Sequence, residues 1–430
     1  MNFIYIYITE TFKSLLRSRF FIYPYIKEVE VLYKLSPEEL HKKNERLFLE
    51  ILKKAYNKSP FYHQLYDENK ISIDDIKSIK DIEKLPIITK NLIRDNPEAL
   101  LTCKKWKLIR NHTSGTTGSP LTIYENWALI WKARAYYAYY RKLCGFTYGE
   151  PLVSLRGSLS KKNISMYLHI SNTLFLSSYN INEKTIKQYW EKIEALKPKA
   201  IEGYPSTLYN LAIHIKDQEL NCNIPLCFTS SETLFDYQRA LIQQVFNTQI
   251  YDHYGLTERS IALCENLDHN GYFEQPGFSI NEYLKEGVIT TSLINSAFPL
   301  IRYKINDIID VDDNYDMTFL SKRTHIKSIK GRSNQYIIGK DGTRYSGGLT
   351  YIIKELDNIK NAQLVQREKG RLDVNIVSDN ELTTEQLNRL HKFLNERIGE
   401  NNMDITINRI NEDQLIYTNN NKYNFIVSLS

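Results

Sequence analysis

Apolar residues recur along this chain with two different periods, and the alternation between them maps its organisation. Residues 44–66 carry a helical period with a break at Ser59-Pro60, since proline lacks the N–H that a helix interior needs. Beyond residue 125, short apolar runs alternate with helical stretches. Helices are predicted over 127–144, 185–196, 207–219 and 236–246, and strands over 151–155, 200–203, 225–230 and 249–253. Strands separated by helices require crossover connections, which predict a parallel sheet. Ligands on such sheets bind beyond the carboxyl ends of the strands.

From about residue 280 the pattern turns to β: 287–294, 299–311 and 317–328 read as strands. After Gly331-Arg332 a separate α+β unit is predicted. Strands 335–338 and 343–345 bracket Asp341-Gly342, and strands 363–366 and 372–377 bracket Lys369-Gly370; both pairs are hairpin signals. Residues 349–356 and 383–398 read as helices, the second opened by a Thr383/Gln386 capping box. Its stripe Leu387, Leu390, Leu394, Ile398 has core spacing. The predicted class is α/β. A large multi-part N-terminal domain with parallel sheets and helices (1–330) is followed by a small α+β C-terminal domain (331–430).

Length supports this division: 430 residues exceed the roughly 100–200 of one domain. The net charge of +6 is dispersed, so it suits an anionic cofactor and gives no footprint for nucleic acid. The five cysteines form no Cys-x-x-Cys pair, which points to free thiols in a reducing, cytoplasmic setting. No run approaches the ~18 apolar residues of a membrane span. Residues 1–35 are expected to be helical and packed on the domain. The aromatic run 20–25 leaves a membrane-surface role open, but not as the expected one.

The most informative stretch is Asn111-His-Thr-Ser-Gly-Thr-Thr-Gly-Ser-Pro-Leu121, between two strand-like segments. Gly115 and Gly118 allow successive N–H groups to point into one concavity. With hydroxyls from Thr113, Ser114, Thr116 and Thr117, that nest suits phosphate oxygens. Read alone, it is equally a Gly/Ser/Thr turn. It is not a Walker A loop, which ends in Gly-Lys-Ser/Thr and opens a helix; here Gly-Ser-Pro-Leu opens a strand.

Three later segments follow in order. In Tyr251-Asp-His-Tyr-Gly-Leu-Thr-Glu258, Gly255 is expected to permit a tight turn, Thr257 offers a hydroxyl and Glu258 a hard oxygen ligand. Magnesium is commonly held by one or two carboxylates plus substrate phosphates. In Pro299-Leu-Ile-Arg-Tyr-Lys-Ile-Asn-Asp307, Asp307 is placed to accept from ribose hydroxyls. Lys330-Gly-Arg-Ser-Asn-Gln335 sits at the domain boundary. Singly, each also reads as a turn, a strand-end acid or a linker arginine.

As an ordered set these segments resemble the adenylate-forming enzymes: acyl-CoA synthetases, nonribosomal adenylation domains and luciferases. Ser114-Gly-Thr-Thr-Gly118 resembles their phosphate loop and Tyr254-Gly-Leu-Thr-Glu258 their adenine and magnesium motif. Arg302-Tyr-Lys-Ile-Asn-Asp307 resembles the ribose motif and Gly331-Arg332 the hinge. Asn419-Asn-Asn-Lys422 resembles the tail that carries the catalytic lysine. Ser59-Pro-Phe-Tyr62, Asp81-Ile-Glu-Lys-Leu-Pro-Ile-Ile-Thr-Lys90 and Gly203-Tyr-Pro-Ser206 are similar to the phenylacetate–CoA ligase group and its capsule-biosynthesis (CapK-like) relatives. The resemblance runs from about residue 45 to the end.

The resemblance implies an AMP-forming acid ligase that uses ATP, Mg²⁺ and a small-molecule carboxylic acid. Residues 113–117 would hold the β- and γ-phosphates, Thr257 the α-phosphate and Glu258 the metal. Asp307 and Arg332 would fix the ribose, with Glu232 and Tyr254 beside the adenine. Lys422 would bridge carboxylate and α-phosphate, and Tyr204 and His253 would flank the acid. The implied acceptor is coenzyme A, with an amine or hydroxyl on a sugar or carrier as the alternative. Asn306, Asn334, Gln335 and Asn421 depart from the family pattern, which keeps a nucleotide-binding pseudoenzyme as a third reading.

Overall fold

The computed structural model describes residues 3–112, 121–155, 159, 164–178, 180–312, 326–332, 336–342, 344–345, 349, 359–417 and 423–428. The chain opens with helices α1 (Phe3–Leu16), α2 (Arg19–Lys34), α3 (Pro37–Lys58), α4 (Pro60–Glu68) and α5 (Lys90–Arg94). The break at Ser59 has a concrete cause. Its hydroxyl accepts from the Tyr62 N–H to cap α4 and donates to Ala99 O at 2.8 Å, while Pro60 takes the first-turn position where no N–H is needed.

A two-stranded hairpin follows, β1 (Ile109–His112) with β2 (Thr122–Glu125), then α6 (Trp127–Leu143). The next elements are β3 (Leu152–Leu155), β4 (Ser165–Leu168), β5 (Thr173–Leu176), α7 (Ile186–Leu196), β6 (Ala200–Gly203), α8 (Pro205–Asp217), β7 (Leu226–Ser230), α9 (Asp236–Phe246) and β8 (Gln249–Gly255). The strands β9 (Ala262–Glu265), β10 (Tyr272–Glu274), β11 (Ser279–Leu284), β12 (Gly287–Ser292), β13 (Tyr303–Ile305), β14 (Asp307–Val311) and β15 (Ile326–Arg332) complete the larger part.

The main sheet has ten strands in the order β14-β15-β10-β9-β8-β7-β6-β3-β5-β4. Its centre, β5-β3-β6-β7-β8, is parallel as expected. Antiparallel strands extend it on both sides, so the sheet is mixed rather than parallel throughout. Of the extra strands, β14 and the start of β15 fall in segments read as strand, whereas β4, β9 and β10 are short and lack the crossover helices that would announce them. β11, β12 and β13 form a separate antiparallel sheet.

Beyond Arg332 the chain leaves the large sheet. Among the described residues β16 (Ile337–Ile338) pairs with β17 (Arg344–Tyr345) alone. β18 (Ile359–Glu368), β19 (Arg371–Ser378), β20 (Asp404–Arg409) and β21 (Ile426–Ser428) form a four-stranded sheet in the order β20-β19-β18-β21. Helix α10 (Thr384–Ile398) carries the expected capping box, and Leu390, Leu394 and Ile398 enter the core of this small domain. Gly370 turns the β18–β19 hairpin at φ +75°, a conformation open to glycine without cost. The helix expected at 349–356 and most of the strand expected at 317–328 lie outside the described residues.

The N-terminal helices and the later strands share one core, which includes Phe48, Tyr62, Ile88, Phe298, Tyr303 and Ile309. Two polar anchors hold them in register. The Tyr62 hydroxyl donates to Pro299 O at 3.0 Å and accepts from Ile301 N–H at 2.9 Å. Arg302 is buried and forks onto Glu282 at 3.0 and 2.6 Å; its third nitrogen donates to Glu83 O and Leu85 O at 2.9 and 2.6 Å. Removing one partner of a buried pair strands the other charge. Arg302→Leu is therefore expected to destabilise the protein by roughly 3–5 kcal/mol. Arg302→Lys should fall between it and wild type, since lysine keeps the charge and loses the planar fork. Urea unfolding of the three proteins measures both.

Candidate active site

The site forms where β6, β7 and β8 end. Register pairs Gly203 with Thr229 and Ser230 with His253. Tyr204, Glu232 and Tyr254-Gly255 therefore leave three neighbouring strands at the same edge, the carboxyl edge where α/β sheets bind ligands. Tyr204 occupies the N-cap of α8, and Pro205 opens that helix. Glu232 accepts from the Ser206 N–H at 3.1 Å and from the Tyr423 N–H at 2.9 Å. It thus ties the first turn of α8 to the chain segment next to Lys422.

Tyr254 donates its hydroxyl to Asp307, the first residue of β14. The aspartate is buried, and its backbone pairs with Arg332 of β15. The segments around Tyr254, Asp307 and Arg332 therefore meet at the strand edge.

Gly255 corrects the expectation of a tight turn. It is the last residue of β8, and its φ is not in the left-handed region. A Cβ there would lie 2.5 Å from the Tyr137 hydroxyl, so the glycine admits α6 close to the strand. Two residues earlier, His253 packs its ring on Tyr137 at 4.5 Å. Thr257 is exposed and Glu258 is buried just past the strand.

Sequence reasoning missed the tether beside Glu258. Arg259 Nε donates to Glu125 Oε1 at 2.9 Å, and Asn111 donates to the other oxygen of that carboxylate. Asn111 and Glu125 stand on the two strands that flank the hydroxyl-rich loop, held in register by Asn111–Ile123 and His112–Thr122 pairing. The base of that loop is thereby fastened to the residue following Glu258. The hairpin was readable from the sequence, but its contact with residue 259 spans 134 positions and left no local signal. The loop residues Thr113, Ser114, Gly115, Thr116, Thr117 and Gly118, and Lys422, lie outside the described residues, as does the Arg332 side chain.

Under the site, Asp252 is fully buried in a polar network. Thr229 and Tyr272 donate to its carboxylate at 2.6 and 2.8 Å, and its own N–H donates to Glu265 at 2.8 Å. Glu265 in turn receives Arg239 at 2.7 Å. Burial is the main reason the Asp252 carboxyl is pushed up to about 7, with the Glu265 charge adding to it. The native state thus holds a proton that the unfolded chain releases nearer pH 4. Stability falls where the native state binds the extra proton as pH rises. Wild type should lose a few kcal/mol between about pH 4 and 7 relative to Asp252→Asn, then level off. Thermal melts of both proteins across that window check the sign.

Known proteins place this architecture. The fold superimposes on 2-hydroxyisobutyryl-CoA ligase, solved in the postadenylation state with 2-HIB-AMP, at a TM-score of 0.70 over 91% of this chain and 89% of that one, with 14% identity. The fold is therefore that of the adenylate-forming enzymes. Residues 337–428 match the CapK C-terminal domain. Protein CapK of Staphylococcus aureus is 28% identical over 395 residues, covering 88% of this chain and 87% of that protein. A phenylacetate–coenzyme A ligase of Pseudomonas putida is 27% identical over 287 residues, covering 60% and 63%. In sequence the chain is similar to protein CapK along most of its length and, over a shorter stretch, to the phenylacetate–CoA ligases.

Proposed function

We propose that the protein activates a carboxylic acid with ATP and transfers the acyl group to coenzyme A. The observation that carries this reading is the tether from Arg259 to Glu125 and Asn111. It holds the ends of a loop rich in hydroxyls and glycines against the residue after Glu258, beside the Tyr254–Asp307 and Glu232–Tyr423 contacts.

In the first step a carboxylate oxygen of the acid attacks the α-phosphorus of ATP. The bond to the bridging oxygen breaks, and pyrophosphate leaves with its electrons. The nucleophile is already ionised, so the protein's task is positioning and charge stabilisation. Asp307, oriented by Tyr254, accepts from ribose hydroxyls, with Arg332 alongside. Glu232 and Tyr254 border the adenine. Residues 113–117 donate to the β- and γ-phosphates, Thr257 donates to the α-phosphate, and Lys422 bridges it to the carboxylate as a flexible point charge. Tyr204 and His253 border the acid. In the second step the thiol sulfur attacks the acyl carbon, loses its proton, and AMP departs.

Magnesium fits this donor set. Glu258 supplies one carboxylate, and among the described residues no cluster of three His, Cys, Asp or Glu forms a protein-only cage. Such a site suits an ion that keeps phosphate and water ligands. When bound, the ion neutralises charge developing on the phosphates.

Pyrophosphate release across a panel of carboxylic acids, with and without coenzyme A, tests the reading. Acid-dependent release with a thioester product supports it. Adenylate formed but passed only to an amine or hydroxyl replaces the acceptor. ATP binding with no exchange on any acid leaves a nucleotide-binding pseudoenzyme.

Two variants probe the roles. Glu258→Gln should lower ATP–pyrophosphate exchange by about 10²-fold or more and leave the fold intact, as expected for a lost charge opposite developing phosphate charge. Unchanged exchange would make Glu258 structural. Lys422→Ala should keep ATP binding and lower adenylation by a similar factor, about 10²-fold. The acceptor step from pre-made acyl-adenylate should change much less. Equal adenylation rates would remove Lys422 from the site.

A further inference from the structure

The first helix is built inside out, and the second adds exposed aromatic side chains beside it. On α1, Tyr7, Thr11 and Ser14 fall on one face at helical spacing. Tyr7 packs on Leu159, Met166 and Leu168. The Thr11 and Ser14 hydroxyls are buried with no hydrogen-bond partner among the described residues. The next face round the helix shows Ile8, Phe12 and Leu15 at 61%, 60% and 48% exposure. A surface helix with only water outside it carries the reverse of the α1 pattern. On α2, Ile22, Val29 and Leu32 are buried in the ordinary way, while Phe20 and Tyr23 still stand 82% and 45% exposed. Two consecutive helices with apolar residues turned outward require something apolar beyond them.

The platform beneath is firm. Phe21 stacks on Trp131 at 5.1 Å, and the Trp131 indole N–H donates to Leu16 O at 2.7 Å. Lys132 pairs with Glu28 at 2.8 Å. Beside Trp131, Phe20, Tyr23 and Pro24 border a cleft of about 740 Å³.

The charge around the patch selects the occupant. Residues 1–34 carry five Lys/Arg against three Glu and no Asp. Each of those acids is engaged by a lysine: Glu10 by Lys13, Glu28 by Lys132, Glu30 by Lys27 and Lys34. Arg19 and Lys27 both approach the Tyr23 ring, at 5.9 and 5.8 Å. A two-fold contact with a second copy would bring this basic patch against its own duplicate, an unfavourable match of like charges. Helices of 14 and 16 residues are too short to span a bilayer, and among the described residues no helix is long and apolar enough to cross one. Apolar and aromatic side chains rimmed by basic ones suit the plane of the lipid headgroups, where the stems of Arg and Lys lie along the surface.

We propose that Ile8, Phe12, Leu15, Phe20 and Tyr23, rimmed by Arg19 and Lys27, seat the protein on an anionic phospholipid surface. The apolar side chains enter the headgroup–acyl boundary, and the two cations meet lipid phosphates. This role is independent of the ligase reading and places the carboxyl-edge site on a membrane-bound body.

Co-sedimentation of the full chain with vesicles tests it. One set is phosphatidylcholine alone; the other is enriched in phosphatidylglycerol. Wild type should partition onto the anionic vesicles about tenfold or more better than onto the neutral ones. Phe12→Ser with Phe20→Ser should lower that binding by about tenfold or more. Arg19→Gln with Lys27→Gln should remove most of the preference for anionic lipid. All these positions are exposed or partly exposed, and circular dichroism checks that the variants fold. Equal binding to both vesicle types, no sedimentation, or unchanged binding by the Phe variants would overturn the proposal. So would a dimer in solution that those variants dissolve, which would assign the face to a second copy.

Discussion

The buried fork between Arg302 and Glu282 is the interaction on which the rest of this structure leans. Its third nitrogen reaches the carbonyls of residues 83 and 85, so one guanidinium ties the early chain to the strands that carry Asp307. Arg302 itself holds φ +51°, an uncommon conformation for a non-glycine residue, sustained where surrounding contacts over-determine it. Tyr62 repeats the device three residues away by gripping both Pro299 and Ile301. The two anchors explain why a serine–proline–aromatic–tyrosine segment far upstream belongs with a ribose-type motif. One supplies the hydroxyl that sets the strand carrying the other.

With that strand placed, the site follows from parallel-sheet geometry. Three crossover units deliver Tyr204, Glu232 and Tyr254 to one edge. The strands that flank the hydroxyl-rich segment are tied to Arg259 through the Glu125 carboxylate. Below the edge, Asp252, Glu265, Arg239, Thr229 and Tyr272 satisfy one another in the interior. Buried polar groups of this kind hold strands in one arrangement because each unsatisfied member would be costly.

Among the described residues the small domain meets the large part through contacts of mixed character, at this edge and along α8. Besides Glu232 and Tyr423, Phe235 packs against Phe425 with ring centroids 5.9 Å apart, and Lys360 reaches Asp217 at 2.7 Å. The N-terminal pair is clamped through stacked aromatics onto α6 and shows apolar side chains outward.

Much of this was legible in the sequence because it depends on local periodicity. The alternation of periods between 127 and 253 located α6 and the central parallel strands, since one-residue steps around a helix and along a strand impose different burial patterns. Turn and cap chemistry at Ser59, Thr383 and Gly370 was readable for the same reason. The ordered motifs identified the family of folds. Tertiary structure alone decided the rest. The strands β4, β5, β9 and β10 have no crossover helix on at least one side to set them off, and their pairing is set by the neighbours they find. Gly255 was read as a turn, but its cause is Tyr137, 118 residues away in the chain. Arg259 and Glu125, Arg302 and Glu282, Tyr62 and Pro299 are joined only because folding brings distant segments into one low-dielectric interior, where each charge or hydroxyl must find a partner. Composition determined that such groups exist; the packed sheet determined which of them meet.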